Sequence, residues 1–155
     1  MENTIVELQE IISAYSIKIR AISSDEFNVK PDVKKWSRKE VFGHLIDSAQ
    51  NNLRRFIAGQ YEHEPNIVYD QDFWVNANNY QEMADTDVIT LWVLINERIV
   101  ATLRNMSVAN YDRTCNTGKE TPSLHSLVWL ASDYVKHLKH HLNQIIAGSF
   151  NITYP

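Results

Sequence analysis

Asp133-Tyr-Val-Lys-His137-Leu-Lys-His140-His141-Leu-Asn-Gln144 reads as one face of a helix and carries half of the histidines in the chain. A helix advances about 100° per residue. On that wheel Leu127, Ala131, Tyr134, Leu138, Leu142 and Ile145 gather into a single apolar stripe. With His137 set to zero, His141 lies at about +40°, His140 at about −60°, and the stripe centres near about +100°. His137 and His141 therefore occupy the inward shoulder of the stripe, one turn apart, while His140 leans towards solvent. Two imidazoles at i and i+4 can converge on one ion. Such pairs also occur on helices that bind nothing, so the reading turns on a third inward-facing ligand elsewhere.

Working outward from this segment, Thr121 as N-cap and Pro122 at the first helical position open the last helix, and Gly148 closes it. Residues 108–120 form a polar loop with a turn at Thr117-Gly118. A third helix is expected over 86–106, capped by Asp85, with Val88, Leu91, Trp92, Ile95, Ile99, Leu103 and Met106 as its seam. The second helix has the strongest start signal. Ser37 and Glu40 are spaced as a capping box, and Trp36 stands where it can staple onto Val41. Its core positions are Val41, Leu45, Ala49, Asn52, Leu53 and Phe56, and Gly59 is its stop. With His44 at zero on this wheel, Ser48, Asn51 and Arg55 fall within about 40° and the apolar centre lies near about +110°. His44 thus takes on this helix the same inward shoulder that His137 and His141 take on the last one. A third ligand is available.

Between these helices, residues 60–84 make a long connection holding Pro65, Tyr69, Phe73, Trp74 and Tyr80. Connections of this length are uncommon inside compact domains, and the aromatic content predicts that it packs onto the bundle. The first helix is expected over 5–22, with Thr4 and Glu7 as a capping box and Ile5, Leu8, Ile12, Tyr15, Ile19 and Ile22 as its seam. Residues 23–28 end it and Pro31 marks a loop. Four amphipathic helices without strand alternation or internal repeat read as an all-α four-helix bundle.

Composition agrees. At 155 residues the chain suits one domain, taken as 1–155, and 44% apolar with 22% charged residues is ordinary for a soluble globular protein. A net charge of −4 gives no support to nucleic-acid binding. No segment approaches the roughly 20 apolar residues of a membrane span, and the N-terminal residues lack the basic-then-apolar pattern of a signal peptide. The single cysteine, Cys115, cannot form an internal disulfide, which suits a reducing cytoplasm. Only 4 Gly and 4 Pro favour long uninterrupted helices.

Trp36-Ser-Arg-Lys-Glu-Val-Phe-Gly-His44-Leu-Ile-Asp47-Ser, followed by Asn51, Arg55 and Phe56, resembles the second helix of the DinB-like family. Within it, the closest likeness is to the YfiT branch of metal-dependent hydrolases and bacillithiol transferases. Pro65-Asn-Ile-Val-Tyr69-Asp70, with Trp74 and Tyr80, looks like that branch's long connection, and the stretch from Leu127 through Gln144 resembles its last helix. The resemblance runs from about residue 33 to 146. It implies an up-down-down-up bundle with a long crossover between the second and third helices, a homodimer, and one divalent ion on His44, His137 and His141. In one respect the chain departs from the pattern. Many relatives carry an acidic residue directly after the first histidine of the last helix, and here it is Leu138.

Three neutral imidazoles leave a coordination position open and suit catalytic zinc or nickel, where bound water or a bound thiol is acidified. Asp47 at i+3 from His44, Asp133 at i−4 from His137 and Gln144 at i+3 from His141 are each placed to orient an imidazole; the alternative for each is a surface-facing side chain. Asp47 is also the nearest general base for a hydrolase. Arg55, about three turns along from His44, can hold a substrate carboxylate or else form a solvent-facing ion pair. Tyr69, Trp74 and Tyr80 line a pocket or simply pack the connection. His63 and His125 lack partners at ligand spacing and read as surface residues, and Cys115 reads as incidental. The expectation is a metal-dependent enzyme that transfers a low-molecular-weight thiol to a small electrophile. The alternatives are a metal-dependent hydrolase and a non-catalytic dimeric bundle that binds a metal or small ligand. Neither nucleic acid nor membrane is expected as a partner.

Overall fold

The computed structural model describes residues 1–154. Four long helices, α1 (Glu2–Arg20), α3 (Arg38–Ala58), α5 (Asp85–Asn105) and α6 (Leu127–Ile145), form the bundle. Two shorter helices, α2 (Ser24–Asn28) and α4 (Gln71–Asn78), and an antiparallel hairpin of β1 (Thr114–Asn116) with β2 (Leu124–Ser126) lie in the connections.

Side-chain pairs fix the direction of each helix. Lys39 at the start of α3 meets Asp85 at the start of α5 at 2.9 Å, so these two run parallel. Gly59, just past the end of α3, abuts Leu127 at the start of α6, while His44 meets the far end of α6, so that pair is antiparallel. Arg20 at the end of α1 reaches Thr90 early in α5, and Arg104 late in α5 reaches Gln9, so α1 opposes α5. The topology is up-down-down-up, and the crossover between α3 and α5 is what lets neighbouring helices point the same way. No helix among the described residues is long and apolar enough to cross a membrane.

The expected capping box opens α3. Ser37 Oγ accepts from the Glu40 backbone N–H at 3.1 Å, and Glu40 Oε2 accepts from the Ser37 N–H at 2.8 Å. Phe42, Leu45, Ile46, Ala49 and Phe56 are then fully buried against Trp92, Ile99, Leu138 and Leu142. Each large side chain among them contributes about 1.5–3 kcal/mol on burial. The C-terminal stop at Gly59 holds, for a different reason. Its φ of −60° needs no glycine, but a Cβ there would come within 2.7 Å of Leu127 and 2.9 Å of Cys115.

Several expectations need correction. α1 begins at Glu2 with no side-chain cap, so Thr4 and Glu7 fall inside it and make no box. Residues 23–28 form a further turn of helix, capped by Ser23, that buries Phe27. Asp85 lies within α5 and caps nothing. Its carboxylate goes instead to Lys39, which is 2% exposed, and accepts from Ser24 Oγ at 2.7 Å. A buried ammonium needs that charge more than exposed helix N–H groups do, since water serves the latter. Leu91 is exposed because the α5 stripe turns towards Asn96, a buried amide that accepts from Tyr134 OH. The connection 60–84 is not structureless. Asp70 caps α4 by accepting from the Phe73 N–H at 3.0 Å, and a 3-10 turn at Tyr80–Glu82 follows. Thr121 and Pro122 sit in the hairpin loop, because 114–116 pair with 124–126 and satisfy each other's backbone. The last helix opens at Leu127 with Ser126 as its cap, and it ends at Ile145, before Gly148. Beyond it the chain turns back, and Asn143 exchanges two hydrogen bonds with the Phe150 backbone, at 2.8 and 2.7 Å.

Candidate metal centre

α3 carries His44 on its second turn, and α6 carries His137 and His141 one turn apart near its end. Because the two helices are antiparallel, these positions come level. One ring nitrogen from each of the three lies within 4.8 Å of the others. His44 Nε2 and His137 Nε2 are 3.1 Å apart. A tetrahedral zinc with Zn–N of about 2.0–2.1 Å sets its nitrogens about 3.3–3.4 Å apart, so the donor set fits a single ion with little movement.

The outer nitrogens support the same arrangement. His141 Nδ1 faces Gln144 Oε1 at 3.0 Å, which leaves its Nε2 for the ion. His137 Nδ1 lies 3.4 Å from Ser48 Oγ on α3. Such outer partners fix tautomer and ring orientation. His44, 1% exposed, is held differently: its Nδ1 is buried with no hydrogen-bond partner, and its ring lies 5.3 Å from that of Trp36. Burial, then the neighbouring His141, lowers the His44 pKa from 6.5 to about 3. His137 is pushed down by burial and then by His141, His44, His140 and Arg55, and His141 by burial and by His140 against an opposing hydrogen bond from Gln144. All three are thus neutral with free lone pairs, the form in which imidazole binds a metal. His140 stays outside the cluster, and its Nε2 lies 3.1 Å from Gln144 Nε2.

The profile of the DinB superfamily matches residues 8–145. The chain belongs to the DinB superfamily. Two solved structures share this DinB fold. One is YfiT from Bacillus subtilis, described as "a probable metal-dependent hydrolase with an unusual four-helix bundle topology"; it is 22% identical, with a TM-score of 0.83 over 93% of this chain and 82% of that one. The other is a histidine-to-alanine mutant of the mycothiol-dependent maleylpyruvate isomerase, 11% identical, with a TM-score of 0.77 over 94% of this chain and 60% of that one. No curated protein sequence matches the chain.

Around this DinB histidine cluster the remaining candidates divide. Asp47 is fully buried, and its Oδ1 accepts from Tyr80 OH at 2.6 Å and Asn78 Nδ2 at 2.8 Å. Its hydrogen bonds therefore run to the crossover and not to the imidazoles. Burial raises its pKa from 3.8 to about 6 despite those two donors, and Oδ2 has no partner. Gly43 makes the contact possible, since a Cβ there would stand 2.1 Å from the Tyr80 ring. Arg55 is not a solvent-facing ion pair. Its Nε and Nη2 donate to the Ile67 carbonyl at 3.1 and 2.7 Å, and Nη1 donates to Asn52 Oδ1 at 3.3 Å. No carboxylate lies within ion-pair distance of it among the described residues. Burial lowers its pKa, opposed by Tyr69, Cys115, Asp133 and Tyr154, which surround it.

Asp133 orients no imidazole; it accepts from Tyr154 OH at 3.2 Å. Tyr154, which helix patterns give no reason to single out, lies edge-on to His137 at 5.7 Å and near His140 at 5.6 Å. Tyr69 packs against Trp74 at 5.6 Å and stands beside Arg55. Cys115 is fully buried in β1, and burial pushes its thiol up, so it is packing and no nucleophile. His63 is exposed, whereas His125 is half-buried and stacked on Trp129 at 3.9 Å. Leu138 is fully buried in the core.

Proposed function

We propose that the chain is a metal-dependent enzyme that transfers a low-molecular-weight thiol to a small electrophile. The observation that carries this reading is the pairing of three neutral, converging imidazoles with a desolvated guanidinium that has no carboxylate within ion-pair distance among the described residues. A divalent ion in the triad, zinc or nickel, supplies a Lewis acid that favours the thiolate at neutral pH. His44, His137 and His141 hold that ion, with Gln144 and Ser48 steadying two of the rings. Arg55, on the His137 side, holds a carboxylate of the thiol, because a buried cation without a carboxylate partner gains most from acquiring one. In the transfer a C–S bond forms and the bond from carbon to its leaving group breaks. The leaving group departs with the electron pair and the thiol proton passes to solvent.

The competing reading is hydrolysis of a small substrate. It is favoured by Asp47, whose unpartnered Oδ2 and raised pKa suit a general base; its hydrogen bonds to the crossover argue for a positioning role instead. One experiment separates the two. Purified protein loaded with zinc or nickel is assayed with a panel of thiols against 1-chloro-2,4-dinitrobenzene, and against ester substrates with no thiol added. Thiol-dependent chloride release that disappears on chelation is the expected result. Ester hydrolysis that proceeds equally well without thiol overturns thiol transfer in favour of hydrolysis.

A further inference from the structure

On the side of the histidines away from Arg55, the surface opens into a cleft of about 640 Å³, within the usual range for small-molecule sites of about 300–1,000 Å³. Two of its lining residues touch the metal ligands directly. Trp36 stacks obliquely on His44, at 5.3 Å and 34° between planes, and Gln144 hydrogen-bonds His141 at 3.0 Å. Arg55, in contrast, bears on His137. The cluster is therefore flanked on two sides by cations; none of the three histidines lines the cleft itself, which meets them through Trp36 and Gln144.

The chemistry of the cleft is specific. Its inner wall is apolar and aromatic, built by Trp36 and Val41, with Val29 and Pro31 at the rim. Among its charged residues, Arg38 and Glu26 neutralise each other as an ion pair. Lys34 and Lys35 have no carboxylate within ion-pair distance among the described residues, and both are exposed on the cleft edge. The lining holds one further exposed acid, Asp72, so three cations face two acids; Asp32, outside the lining, is engaged by the Lys34 backbone N–H at 2.9 Å. In a chain whose net charge is −4, this local excess of positive charge runs against the average field and marks a place where an anion is preferred. A flat ring on the indole of Trp36 is the natural occupant of the inner wall.

We infer that this cleft is the subsite of the electrophile, and that it selects an aromatic electrophile carrying an acid group, with the ring on Trp36 and the acid towards Lys34 and Lys35. The inference rests on the thiol-transfer reading for the words "electrophile" and "subsite", but the binding preference stands apart from turnover. With an aryl chloride as the electrophile, the thiolate sulfur bonds to the ring carbon, chloride leaves with the bonding pair, and the thiol proton passes to solvent.

The test uses the metal-loaded protein and two unreactive probes, 3,5-dinitrobenzoate and 1,3-dinitrobenzene, titrated by calorimetry at low salt. The benzoate should bind about tenfold more tightly than the neutral ring, and the preference should shrink as salt rises to about 0.3 M. In the Lys34→Gln/Lys35→Gln double variant, on an exposed loop, the preference should fall to about twofold. Trp36→Leu should weaken both probes about tenfold without changing metal content, and Trp36→Phe, which keeps a ring in place, should restore most of the loss. Equal binding of the two probes overturns the inference. So does a preference that survives in the double variant, which would put the carboxylate on the metal or on Arg55. Predicted binding without thiol-dependent turnover removes the thiol-transfer reading and leaves the cleft; turnover without the probe preference does the reverse.

Discussion

His44 and the pair His137/His141 reach the same point from helices of different character. α6 is an ordinary amphipathic helix: Leu130, Tyr134, Leu138 and Leu142 face the core, Lys136 faces water, and its two candidate ligand histidines are only partly buried. α3 is enclosed on almost every side, and polar as well as apolar residues are buried along it, including Lys39, His44, Asp47, Ser48, Asn51 and Asn52. Each of these must find a partner inside the protein. Asn51 and Asn52 donate to carbonyls one turn back, Ser48 faces His137, and Asp47 and Lys39 hold the crossover. The difference teaches that the site has one enclosed wall and one half-open wall. On α6 a further imidazole, His140, stands beside His141, whereas α3 carries no second histidine beside His44.

That contrast is most sharply broken by removing single ligands. His44→Ala should lower zinc affinity by about 1,000-fold, more than the about 100-fold expected of a lost outer partner, with the helical circular dichroism unchanged. His141→Ala should lose less, because His140, 4.9 Å away ring to ring, offers a second imidazole on the same helix. Competition against a chromogenic chelator reads both. Equal losses would mean that His140 does not stand in for His141. Loss of helical signal on metal removal would make the ion structural.

Asp47 tests how firmly the enclosed wall is tied to the crossover. Its pKa is about 6 folded against 3.8 as reference, so the folded metal-free protein binds this proton more tightly than the unfolded chain. Stability from this group is present below 3.8 and is lost as pH rises through about 6. Asp47→Asn does not titrate and keeps an acceptor for Tyr80 and Asn78. Relative to wild type it should therefore gain about 3 kcal/mol between about pH 4 and about pH 8, read from urea midpoints of the metal-free proteins. Parallel pH curves would show that Asp47 is not buried as described.

Arg55 belongs to the enclosed wall and, in the proposed function, holds the thiol's carboxylate. Arg55→Ala should raise KM for a carboxylate-bearing thiol about 30-fold, the loss of a charged hydrogen bond of about 2 kcal/mol, with a smaller change in kcat. A thiol without a carboxylate should be little affected, and equal effects on both would remove the anion-holding role. Gln144→Ala has the smallest expected effect, about tenfold in metal affinity. An effect there as large as that of His44→Ala would reverse the order of the two walls.

What could be read from the sequence follows the same division between local and distant. The capping box at Ser37 and Glu40 and the phases of His44, His137 and His141 depend on residues within two turns, so the helical wheel finds them. Asp85 misleads because it stands where a cap belongs, while its true partner, Lys39, lies on another helix. Thr121-Pro122 imitates a helix start because the strands that displace it are three residues each, too short for alternation to register. The ties from Asp47 to Tyr80 and from Asp133 to Tyr154 join residues whose proximity no local pattern encodes. Cys115 and Gly59 are likewise explained only by each other's closeness.

The parallel alignment of α3 and α5, latched where Lys39 meets Asp85, also bears on the order of assembly. Two helices joined by a short loop find each other early in folding. Lengthening such a connection from about five residues to about twenty-five adds about 1.5 kcal/mol of closure entropy before any contact rewards it. The latch, which also draws on the carbonyls of Gln81 and Met83 at the end of the crossover, can form only once that whole segment has been laid down. Contacts that form after the transition state govern how fast a protein comes apart rather than how fast it goes together. Replacing Lys39 with methionine should therefore act on the unfolding limb of a chevron and leave the refolding limb almost where it was.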